Sequence, residues 1–155
     1  MNPKYQIRTS KLLIAVGLAP LLPATIHLAH YFHTPFFYSV IPIVAAYSYL
    51  LAIFIALPGF IMLMRHGRFN LKNAALFTGL IGIVLGFKLF VENCWGTGCY
   101  TYFGEFGYRT VELGKLTLAG YVLASLRVFY FFSLGIIGGI AFYLIARNRA
   151  ADSID

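Results

Sequence analysis

Charge is what this chain has least of. Charged residues make up 11% of its 155 positions, against roughly 25% in a soluble domain, and only five of them are acidic. A surface so poor in charge cannot face water over most of its area, so a soluble globular domain is excluded. Acids are missing altogether from the long apolar stretches, which removes the membrane-embedded carboxylate that proton relays use. Cysteine is nearly absent as well. Cys94 and Cys99 are the only two, which leaves no second pair to relay electrons. Neither a phosphate-binding glycine loop, a dinucleotide-binding glycine pattern nor a lipidation signal occurs.

What fills the chain instead is apolar sequence, 60% of all residues. A helix crosses a hydrocarbon core of roughly 30 Å with about 20 apolar residues. Four such runs are present: 12–32, 36–64, 73–91 and a last one within 116–146, with an intervening segment 93–115. Backbone inside lipid must satisfy its own hydrogen bonds, and helices do so locally. The predicted fold is therefore an all-α membrane protein, one domain spanning 1–155, built as a four-helix transmembrane bundle. Lys4, Arg8 and Lys11 before the first run resemble a secretory signal, but Pro20 follows Ala19 and no small-x-small site precedes His27, so an uncleaved anchor is expected.

Basic residues set the orientation, because short cytoplasmic segments keep Lys and Arg. The N-terminus, the segment after the second run and the C-terminus together hold eight basic and two acidic residues, net +6. The opposite side holds four basic and three acidic residues, net +1. Both termini are accordingly expected in the cytoplasm of a bacterial-type inner membrane, with 93–115 in the periplasm. This distribution also accounts for the basic balance of the chain through topology and lipid headgroups, and nucleic acid is not an expected partner.

Small residues at four-residue spacing mark helix contacts in a bilayer. Gly82 and Gly86 on the third run face Gly135 and Gly139 on the fourth in this reading, and the same pattern admits a homodimer seam. Pro20, Pro23, Pro42 and Pro58 punctuate the first two runs and predict kinks. Lys88 and Glu92 stand four apart near a membrane boundary, the spacing of an interfacial ion pair with the lysine stem reaching outward. His27 and His30 share a helical face and are the only metal-ligand candidates, but a closed site needs further ligands, so neither metal nor cofactor is expected.

The 93–115 segment carries the most information. Its two cysteines enclose Trp95, Gly96, Thr97 and Gly98, a turn short enough to close with a disulfide in an oxidising compartment. Tyr100, Tyr102, Phe103, Phe106 and Tyr108 follow, with part of the alternation of a short hairpin. With Trp95 they suit either a cap in the headgroup region or a recognition surface for a membrane or periplasmic protein.

RHGRFNLKNAALFTGLIG, 65–82, and GIIGGIAFYLIAR, 135–147, resemble the central loop, third helix and last helix of uncharacterised small four-helix inner-membrane proteins of proteobacteria. The resemblance covers about a third of the chain and implies the fold alone. In architecture the chain also looks like membrane thiol oxidases and quinone epoxide reductases. Those enzymes carry a C-x-x-C pair and a shuttle pair, whereas this chain has one pair with four residues between, which predicts a structural staple. Small multidrug exporters use a glutamate in their first helix, where this chain offers Thr25 and His27. The expectation is a non-enzymatic accessory, interaction or immunity-type factor acting through its outer aromatic loop. A small oligomeric channel or transporter is the second reading, and a membrane thiol, quinone or lipid enzyme the third.

Overall fold

A computed structural model describes residues 9–29, 31–95, 102–103, 109–112 and 115–147, with backbone alone at 9, 89–95, 102–103 and 109. Four of its helices or helix pairs are long and apolar enough to cross a membrane: Ser10–Ala29, Phe37–Arg65, Leu71–Lys88 and Leu118–Ala146. The protein is a multi-pass membrane protein of four helical spans.

The first span is two helices, α1 Thr9–Leu18 and α2 Leu21–Ala29. The break falls at Ala19 and Pro20, because proline has no amide to continue the hydrogen-bond ladder. The span ends at Ala29, short of residue 32 as expected from hydropathy. Tyr31 to Phe36 form turns instead, in which the Thr34 amide and hydroxyl both donate to the Tyr31 carbonyl, at 2.9 and 2.8 Å.

The second span comprises α3 Phe37–Leu51, a π-helical turn Ala52–Ala56 and α4 Leu57–Arg65. Pro58 cannot donate to the carbonyl one turn back, and the wider π turn just before it absorbs the lost bond. α4 stops in a Schellman motif. Gly67 takes φ of 65°, the Arg68 amide donates to Leu63 O at 2.8 Å and the Gly67 amide to Met64 O at 3.1 Å. Asn70 then starts the third span by accepting from the Asn73 amide at 2.8 Å.

That span, α5 Leu71–Trp95, runs four residues beyond the expected end at 91, so Cys94 and Trp95 belong to the helix and not to the loop. The all-α expectation also needs correction. A three-stranded antiparallel sheet, β1 Tyr102–Phe103, β2 Arg109–Glu112 and β3 Lys115–Leu116, joins α5 to α6 Leu118–Ala146. Glu112 sits opposite Lys115 and Val111 opposite Leu116, pairings of opposite charge and of apolar side chains that favour this register. Thr117 ties sheet to helix. Its amide donates to Thr110 O at 3.0 Å, while its hydroxyl donates to the same oxygen at 3.2 Å and accepts from the Gly120 amide at 3.1 Å, capping α6.

α5 and α6 form the most extensive packing in the bundle, and glycine makes it so close. A Cβ on Gly82 would overlap the Phe131 carbonyl oxygen, one on Gly135 the Thr78 carbonyl, and one on Gly86 would stand 2.7 Å from Val128 Cα. Gly139 is pressed against Thr78 and the Ala74 carbonyl. The four glycines are thus filled from within the chain, backbone against backbone. At the end where α1 begins and α6 stops, aromatic rings complete the core. Phe60, 1% exposed, stacks on Phe142 with centroids 4.0 Å apart and meets Phe69 and Phe77 edge-on.

Candidate functional site

The second span does not pack evenly. α3 leans on α2, and Tyr49 Oη donates to Gly17 O on the first span at 2.8 Å. Chiefly the π turn and α4 reach α5. The spans therefore leave between them a cavity of about 580 Å³, within the range typical of ligand pockets. It exists because the faces turned toward it are small: Ala19 and Ala24 on the first span, Ser48 and Ala52 on the second, Gly135 and Gly138 on the fourth. Phe60 and Phe142, at the edge of the aromatic core, form its floor.

The depth follows from the helices. Lining residues on α6 run from Phe131 to Phe142, which at 1.5 Å per residue is about 16 Å, or half of a roughly 30 Å hydrocarbon core. On α6 this stretch ends four residues short of Ala146, while on α5 the lining runs from Thr78 to Lys88, so the cavity extends across the middle of the bundle and is not confined to the sheet side.

Polar groups are few: His27 and Lys88 stand toward the sheet end, and Tyr47, Ser48 and Thr78 lie farther in. Thr78, midway, is 8% exposed and its hydroxyl donates back to Ala74 O at 2.9 Å, so it satisfies itself within the helix. At the sheet end stand His27 and Lys88. The His27 ring is held by a hydrogen bond between Nδ1 and Tyr130 Oη at 3.1 Å and by contacts with Tyr31 and Phe131, centroids 5.4 and 5.8 Å away. Apolar walls with a cation at one rim are the complement of an amphiphile. Among the described residues that line the cavity, no nucleophile, acid and base converge.

The residues singled out in the sequence are distributed differently. Lys88, assigned there to a pair with Glu92, borders the cavity, and the Glu92 side chain lies outside the described residues. His27 faces Tyr130, whereas His30 is outside the described residues. Among the described residues, no three His, Cys, Asp or Glu side chains come together to hold a metal ion. Trp95 ends α5, Tyr102 and Phe103 form β1, and Cys99, Tyr100, Phe106 and Tyr108 lie outside the described residues, as does the Cys94 to Cys99 pairing. The cavity itself escaped the sequence reading. Its signal was the coincidence of prolines and small residues on the first two spans, which indicates kinks and close approach equally well. No family model matches this chain, and neither a curated protein nor a solved structure shows similarity to it.

Proposed function

We propose that this protein is a non-enzymatic accessory protein of the membrane that works by binding, holding the apolar part of a bilayer-derived molecule between its four spans. The cavity carries this reading: it has ligand size and mostly apolar walls, with few polar groups among them. Full-length protein extracted in mild detergent and examined by native mass spectrometry should carry one amphiphile per chain. Gly138→Phe offers the matching variant. A Cβ there has only Pro23 Cγ nearby, at 3.5 Å, so the ring can enter the cavity without forcing helices apart. The variant should fold and arrive without ligand; ligand-free wild type, or full occupancy in the variant, refutes the reading.

In this proposal the membrane is a bacterial inner membrane, both termini are cytoplasmic, and the sheet faces the periplasm with Cys94 and Cys99 joined. The support is the net charge of +6 on the terminal side against +1 on the other. In a background with both native cysteines changed to serine, Gly104→Cys should react with an impermeant maleimide on intact cells and Arg68→Cys only after permeabilisation. The reverse pattern inverts the topology.

A second reading rests on the attachment of the sheet to α6 through Thr117 and Thr110, which makes a fixed platform beside the aromatic segment. On it, the sheet engages a membrane or periplasmic protein. A photoreactive residue at Tyr102 should then yield a discrete protein adduct in cells, whereas lipid adducts alone indicate a cap.

A further inference from the structure

We propose that the cavity is open sideways to the bilayer through a slot between α3 and α5, and that its ligand is one acyl chain of a membrane lipid whose headgroup stays outside the protein. The proposal rests on the amphiphile-binding reading above and adds the route of entry and the form of the ligand. Packing defines the slot. α3 leans on α2 and runs into the π turn, but it has no extensive contact with α5 or α6. The second span closes on α5 only from the π turn onward, where Gly59 is pressed against the Phe77 ring. Exposure places the opening on the same side. Cavity residues of the first and fourth spans, Ala19, Ala24, Leu134 and Phe142, are buried, whereas Ile43 and Tyr47 of α3 line the cavity and are still 56% and 62% exposed. No residue of α3 is buried.

What stands outside the slot is hydrocarbon. Leu50 on α3 and Val84 on α5 are exposed apolar residues of spans long enough to cross the membrane, so the acyl chains of surrounding lipid lie against both edges. A chain that slips inward exchanges one apolar surrounding for another, since lipid tails are as apolar as leucine. The wall asks for little beyond hydrocarbon. Of its polar groups, His27, Thr78 and Lys88 already have partners within the chain, so none of these three calls for a ligand headgroup inside.

The test reconstitutes the full chain, with Cys94→Ser and Cys99→Ser, in phosphatidylcholine vesicles and adds phosphatidylcholine carrying a diazirine in one acyl chain. After photolysis, adducts should map to the far wall, on the stretches 23–24 and 135–138, and Gly138→Phe should lose them. Ser48→Cys and Leu85→Cys, which line the cavity from α3 and α5, are then bridged with a bis-methanethiosulfonate before the probe is added. Labelling of the far wall should be lost in bridged protein and return when the bridge is reduced. The same diazirine chain on a biotinylated phosphatidylethanolamine should label the far wall equally, because its headgroup never enters. Labelling that survives the bridge overturns the slot, and labelling lost with the enlarged headgroup overturns the tethered chain, in both cases while the cavity reading stands. Adducts absent from the far wall of unbridged protein, with the lipid-facing Val84 labelled, overturn slot and cavity reading together; Ile43→Cys cross-linking two such chains would then seat a second copy there.

Discussion

A single methyl group at Gly82 sets two backbones against each other. In Gly82→Ala the new Cβ overlaps the Phe131 carbonyl oxygen and stands 2.7 Å from the Phe131 carbonyl carbon and 3.1 Å from Phe132 Cα. Non-bonded heavy atoms settle near 3.5 Å, so α5 and α6 must part by about 1 Å at this level. No side chain can turn aside to prevent it. Overpacking of this kind costs about 1–3 kcal/mol, partly offset by up to about 1 kcal/mol of better helix propensity, which leaves a net loss of about 1–2 kcal/mol. Two controls separate the clash from the chemistry of the substitution. Gly17 has nothing within 4 Å of its Cβ position, so Gly17→Ala should be neutral or mildly stabilising. At Gly59 the obstacle is the tip of the Phe77 ring, which can swing, so Gly59→Ala should cost less than Gly82→Ala. Adding Gly135→Ala to Gly82→Ala should cost less than the sum of the singles, since helices already parted admit the second methyl. Reversible unfolding in mixed micelles, followed by far-ultraviolet circular dichroism, measures the four single variants and the double. If Gly82→Ala is as stable as Gly17→Ala, the α5 to α6 seam is not as close as described.

Tyr49→Phe removes the 2.8 Å bond to Gly17 O and should lower stability by about 0.6 kcal/mol in the same unfolding assay, the mean for hydrogen bonds between membrane helices. Thr117→Val removes the α6 cap and the hydroxyl's bond to Thr110 O while the amide's bond to the same oxygen stays, and should cost about 1 kcal/mol with faster hydrogen exchange at the Gly120 amide. Phe60→Ala deletes the largest wholly buried side chain among the described residues and opens the cavity floor; a loss of about 3 kcal/mol is expected, together with binding of longer acyl chains in native mass spectra. Unchanged chain-length selectivity would mean that Phe60 does not limit the cavity.

The spans were legible because a bilayer imposes one rule on every residue of a crossing segment: twenty apolar positions and internally paired backbone. Local chemistry at the ends was harder to see. Hydropathy continues through Tyr31 and Phe32, yet the chain turns there, since Thr34 and Pro35 favour local bonds over another helical turn. In the opposite direction, polar Glu92 and Asn93 suggested an end that α5 passes by a full turn. The sheet was half visible. Alternating aromatics hinted at a hairpin, but the strands observed are short, and β3 comprises only Lys115 and Leu116, too few residues for any periodicity to register. Lys88 also borders the cavity, a place that depends on where the first and second spans stand, which no local pattern encodes.

The same uncertainty explains why glycines mislead when read as a class. Gly138 and Gly139 are adjacent in α6, yet a Cβ on one has ordinary room beside Pro23 and a Cβ on the other runs into Thr78 and the Ala74 carbonyl. One faces the cavity and its neighbour faces the seam, because successive residues point about 100° apart around a helix. In water, a void of this size lined by alanine and glycine would collapse or fill with larger side chains, for its walls lose their packing partners. In a bilayer the surroundings can supply those partners as acyl chain, and small residues facing one another then cost little. Such a void remains favourable only while something apolar occupies it. α6 accordingly has two faces, a seam that tolerates no added volume and a cavity face with room for it, and substitutions at Gly139 and Gly138 should divide along that line.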